Sequence, residues 1–61
     1  MSASIYTTSW MEWTISVWMD RIGEWHYIAT KGKKYLADRI EANNRIEAAR
    51  RVVERLQDFT C

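Results

Sequence analysis

One histidine, His26, one cysteine, Cys61, and eight carboxylates are the groups in this chain that could make or break bonds. A nucleophilic pair needs a thiol or hydroxyl within hydrogen-bond reach of a base. Cys61 is the last residue, and chain ends fray too readily to hold such a geometry. One His and one Cys without ligand spacing fall short of the donors that a zinc centre needs. The carboxylates Glu47, Glu54 and Asp58 are interleaved with Arg50, Arg51 and Arg55 at helical spacing. That pattern is a solvated, paired face. The two glycines, Gly23 and Gly32, stand apart and form no phosphate-cradling loop. The expectation is therefore a chain without catalysis, metal or cofactor. His26 then reads as a sheet-face histidine, and Cys61 as an exposed thiol or the site of an intermolecular disulfide.

The elements that position these groups begin at Trp13. Trp13, Ile15, Val17 and Met19 alternate with Thr14, Ser16 and Trp18, the period of a half-buried strand. Asp20-Arg21-Ile22-Gly23 suits a type I turn with Gly23 left-handed. Alternation then resumes with Trp25, Tyr27 and Ala29. This register sets Met19 opposite Trp25, Val17 opposite Tyr27, Ile15 opposite Ala29 and Trp18 opposite His26. A slip of one residue would scatter the apolar set over both faces.

A second turn is signalled at Thr30-Lys31-Gly32-Lys33 and leads into a third strand. Repeating the first turn type places Tyr35 and Ala37 inward, whereas a two-residue Lys-Gly turn places Leu36 inward. Both registers stand open at this point. Residues 1–9 form an arm or an extension of the first strand, since alternation runs back from Trp13 through Met11, Ser9, Thr7 and Ile5.

Asn44 with Glu47 three residues on forms a capping box. Ile46, Ala49, Val52, Val53, Leu56 and Phe59 then share one stripe. Asp38 with Glu41 offers an earlier start. That start would turn Ile40 away from the stripe, so a break at Asn43-Asn44 is preferred. The expected architecture is α+β: a three-stranded antiparallel meander over 12–40, with one C-terminal amphipathic helix over 44–59 packed on one face (β-β-β-α). The 61 residues make one domain at this length.

Nine basic against eight acidic residues leave a net charge of +1, so bulk electrostatics select no partner. Four Trp, three Tyr and one Phe are many for a chain with no internal disulfide. Each aromatic ring can bury roughly 150–250 Å², in a dense core or against a partner. A single cysteine suits a reducing compartment. The sequence shows no signal peptide and no apolar run that could span a bilayer. A cytoplasmic location is expected.

Three surfaces then compete. Trp10, Trp18, His26 and Ile28 on the open sheet face, with Tyr35 or Leu36, would form a protein-binding patch rich in the side chains that dominate interfaces. Trp18, His26, Lys31, Lys33, Lys34 and Arg39 would suit nucleic acid, bases stacking on the rings and phosphates on the basic tip. The same face, covered by the arm or a second subunit, would close a homodimer. Gly23-Glu24-Trp25, Gly32-Lys33-Lys34 and the capped helix with Glu47-Ala48 resemble the small β-β-β-α arm-type DNA-binding domains of phage tyrosine integrases. The HicB-like antitoxin domains share that outline. The resemblance implies the fold, and a role in DNA or toxin binding. The reading preferred from the residues is a non-enzymatic protein-binding module, such as a phage or mobile-element protein that docks on and inhibits a host or defence protein.

Overall fold

A computed structural model describes residues 5–60. Met1 to Ser4 and Cys61 lie outside the described residues, as do the start of the expected arm and the lone thiol. The chain runs β1 (Tyr6–Trp10), β2 (Trp13–Met19), β3 (Trp25–Lys31), β4 (Lys34–Ile40) and α1 (Arg45–Thr60). The strands form one antiparallel sheet in the order β1-β2-β3-β4. The class is α+β as expected, but the meander has four strands instead of three.

The added strand arises at Met11-Glu12. Both residues take positive φ, 49° and 71°, the backbone of a two-residue type I′ turn. This conformation normally calls for Asn or Gly, so no turn was legible there. The reversal also inverts the phase expected for the arm. Tyr6, Thr8 and Trp10 lie opposite Val17, Ile15 and Trp13 and share their face, while Ile5, Thr7 and Ser9 are exposed.

The β2–β3 hairpin has the expected register. Gly23 N–H donates to the Asp20 carbonyl at 3.2 Å, Asp20 N–H donates to the Glu24 carbonyl at 2.9 Å, and Gly23 has φ 90°. The β3–β4 hairpin turns through Gly32-Lys33, with Gly32 at φ 61° and Lys31 opposite Lys34. The loop sits one residue later than the Lys-Gly alternative but has the same parity. Leu36 faces Ala29, and Ile40 faces Trp25. Ile40 decides the parity: it is 8% exposed, and the competing phase would have turned both Leu36 and Ile40 outward.

Asn44 caps α1 as expected. Its Oδ1 accepts the Glu47 N–H at 2.8 Å, while Glu47 Oε1 reaches back to the Asn43 N–H at 2.6 Å. One of the helix's orphan donors, the Glu47 N–H, is thereby satisfied, and the Glu47 carboxylate ties down Asn43, the residue before the cap. Strand β4 runs through Asp38 to Ile40, which rules out the earlier helix start. The buried stripe is rotated from the expected one. Ala48, Ala49, Val52 and Leu56 are buried, whereas Ile46 and Phe59 are more than half exposed. Small alanines let the helix approach a sheet face that already carries the bulk of Trp13 and Tyr27. Phe59, in the last turn, meets the Trp13 ring edge-on at 6.2 Å.

The core is Trp13, Ile15, Val17, Tyr27, Ala29 and Ile40 beneath Ala48, Val52 and Leu56. Full burial of each large aliphatic side chain contributes about 1.5–3 kcal/mol. The Trp13 indole N–H finds no acceptor among the described residues. No helix among them is long and apolar enough to cross a membrane.

Candidate functional site

With α1 on one side of the sheet, the other side has no second layer among the described residues. Its side chains fall into three cross-strand rows. Trp18, His26 and Arg39 form the first, at the β2–β3 turn end. Thr7, Ser16, Ile28 and Ala37 form the second. Ser9, Thr14, Thr30 and Tyr35 form the third. Trp18, His26 and Ile28 are half-buried by their neighbours, while Tyr35 is 66% exposed. Thr7 and Ser16 join their hydroxyls at 3.2 Å. The result is an aromatic and apolar diagonal from Trp18 through Ile28 to Tyr35, fringed by short hydroxyl side chains.

At the Trp18 end the side chains interlock. The Trp18 and His26 rings stack at 5.8 Å between centroids and 21° between planes. His26 Nε2 lies 2.6 Å from Asp20 Oδ2. Asp20 Oδ1 accepts the backbone N–H groups of Ile22 and Glu24, each at 3.0 Å. Arg39 approaches Glu24 Oε1 at 3.4 Å. The His26 hydrogen bond, chiefly, then the backbone donor of Glu24 and more weakly that of Ile22 hold the Asp20 carboxyl below its ordinary pKa, against the opposing effect of desolvation. The hairpin thus pins the turn, the imidazole and the indole together.

Trp18, His26, Ile28 and Tyr35 share the open face, as the protein-binding reading placed them. Trp10 does not. The Met11-Glu12 reversal sends it to the helix side, where it packs half-buried against the core and cannot cover Trp18. Leu36 also faces the helix side, leaving Tyr35 as the contribution of β4 to the open face.

The set considered for nucleic acid is divided. Trp18, His26 and Arg39 lie on the open face at one end of the sheet. Lys31 and Lys34 are in phase with the core face at the other end, and Lys31 Nζ lies 6.0 Å from the Trp13 ring. Lys33 sits in the turn. At ~3.3 Å per residue, the five steps from His26 to Lys31 separate the rings from the basic tip by roughly 16 Å.

A cleft of about 510 Å³ lies at the β2–β3 turn end, floored by Trp25, Ile40 and Ala42. Its arginines, Arg39 and Arg55, approach Glu24 and Asp38 at 3.4 and 3.5 Å. It opens broadly to solvent and brings together no nucleophile and base.

Counting only His and Cys as donors overlooked Asp20 and Glu24. Together with His26 these form a cluster whose ligand atoms lie within 4.8 Å of one another. The signal lay in the hairpin: once Asp20 faces Glu24, a histidine two residues further on must stand beside them. Set against known families, characterised proteins and solved structures, the chain matches none.

Proposed function

We propose that this chain is a non-enzymatic protein-binding module that docks through the uncovered sheet face. The observation that carries this reading is the diagonal Trp18–Ile28–Tyr35, an aromatic and apolar strip on a face that no described element covers. Trp, Tyr and Arg dominate interface energetics when a partner excludes water around them. Here Arg39 stands at the rim beside the Trp18–His26 stack. Hydroxyl side chains around the strip can hydrogen-bond a partner without the desolvation cost of charges. The near-neutral chain adds no long-range attraction, so shape and apolar contact carry recognition. The separation of the lysines from the rings favours a protein surface over a nucleic-acid backbone. The reading extends to a mobile-element inhibitor that docks on and blocks a host or defence protein.

The test is affinity capture with the intact chain, with and without nuclease, beside Trp18→Ala and Tyr35→Ala variants checked for folding by circular dichroism. The reading expects a stoichiometric protein that survives nuclease and is lost with either folded variant. Capture that disappears with nuclease, or is unchanged in both variants, would overturn it.

A further inference from the structure

We infer that Asp20, Glu24 and His26 form a binding site for a borderline divalent cation, best fitted by Zn²⁺. Each residue presents one ligand atom, and the three atoms lie within 4.8 Å of one another. Zinc binds imidazole nitrogen at about 2.0–2.1 Å and carboxylate oxygen at about 2.0–2.2 Å. Tetrahedral angles then set ligand atoms about 3.3–3.5 Å apart. Reaching that spacing requires the 2.6 Å contact between His26 Nε2 and Asp20 Oδ2 to open by less than an ångström, and Glu24 to swing inward. Asp20 and His26 are only partly buried and Glu24 is exposed, so these are rotamer adjustments at a surface.

Two features of the hairpin prepare the set. Asp20 commits Oδ1 to the backbone N–H groups of Ile22 and Glu24, which orients the carboxylate and turns Oδ2 toward His26 Nε2, the pair that an ion would enter between. Trp18 stacks along His26 and limits the rotation of the imidazole. Supported ligands of this kind lose less freedom on binding. The imidazole distinguishes this set from a solvated pair of carboxylates. One nitrogen and two oxygens suit Zn²⁺ better than Mg²⁺ or Ca²⁺, which take oxygen donors. Two carboxylates balance the charge of the ion, and Arg39 gives up its exposed contact with Glu24 at 3.4 Å. Three protein ligands leave one tetrahedral position for water, as in zinc sites that keep one place open. Coordination requires His26 to present an unprotonated Nε2, with its proton on Nδ1. The site stands independently of the protein-binding reading.

The test is titration of the intact chain with ZnCl₂ in chelator-treated buffer, followed by calorimetry, the His26 ring resonances and tryptophan fluorescence. One ion per chain is expected, with shifts at His26 and a change in Trp18 emission. Loss of an outer-shell partner typically weakens a metal site about 10–100-fold, so His26→Gln should weaken binding by at least that much. Glu24→Gln, an exposed change that leaves the core intact, should also weaken it. Cys61→Ser should leave binding unchanged, which separates the triad from a thiol site. No binding at millimolar Zn²⁺, undiminished binding in both His26→Gln and Glu24→Gln, or loss of binding in Cys61→Ser would overturn the assignment.

Discussion

Asp20 and His26 meet at 2.6 Å across the β2–β3 hairpin, and the same carboxylate accepts two backbone N–H groups of the turn that it opens. One side chain therefore closes the turn and orients the only histidine beside Trp18. Of the outcomes expected of this chain, four concern stability and one concerns recognition.

The first is acid sensitivity in metal-free buffer. The Asp20 carboxyl is held below its ordinary pKa of 3.8 in the folded chain. A depressed folded value means that its contribution is complete above the unfolded pKa and is lost as pH falls through the folded one. The melting temperature should show no loss from this group between neutrality and about pH 5, then fall below that. Asp20→Asn keeps the Oδ1 acceptor but should shrink the acid limb. Thermal unfolding over a pH series checks both.

The Met11-Glu12 turn holds two non-glycine residues at positive φ. Such conformations cost about 1–3 kcal/mol each where the residue does not favour them. Replacing the pair with Asn-Gly, the preferred type I′ sequence, should stabilise the chain by about 1 kcal/mol or more. For a domain of this size that raises the melting temperature by roughly 4–8 °C. A fall in melting temperature would argue against the turn.

The rotation of α1 makes Ala48 and Ile46 change places in importance. Ala48 is fully buried, and Ile46 is 56% exposed. Ala48→Asp places an unpaired charge in the core. A chain of this length, at about 0.05–0.15 kcal/mol per residue, should then be unfolded by circular dichroism. Ile46→Asp, in the first helical turn where an acid suits the dipole, should stay within about 0.5 kcal/mol of the parent.

Asn44 is the helix cap through its 2.8 Å bond to the Glu47 N–H. Asn44→Ala should cost about 1 kcal/mol, and Asn44→Asp much less. Urea denaturation with an unchanged m-value would register both.

On the open face, Trp18→Ala should weaken a captured protein partner by about 2 kcal/mol or more, as expected of a central aromatic anchor. Lys33→Ala, in the distant turn, should leave that affinity unchanged. Equal losses in both variants would point to an electrostatic interface instead.

The β2–β3 register and the Asn44 cap were legible in the residues because each is a local pattern. Alternation over a few positions, Asp and Gly bracketing a turn, and Asn followed by Glu at the third place all act over neighbouring residues. The hairpin pattern also carried Trp18, His26 and Ile28 to one face, whereas Tyr35 joined them only once the register of β4 was set. The reversal at Met11-Glu12 was hidden because neither residue advertises a turn. Tertiary pairing of β1 with β2, which buries Tyr6 and Trp10 in part against the core, selects it over local preference. The parity of β4 likewise waited on Ile40, whose burial against Trp25 and the helix is a contact between distant segments. The face of α1 was decided by how much room Trp13 and Tyr27 leave beneath it. Local periodicity determined which elements form and where two of them turn. Only the competition for one small buried volume decided how many strands share the sheet, which face of β4 turns inward and which helical residues seal it.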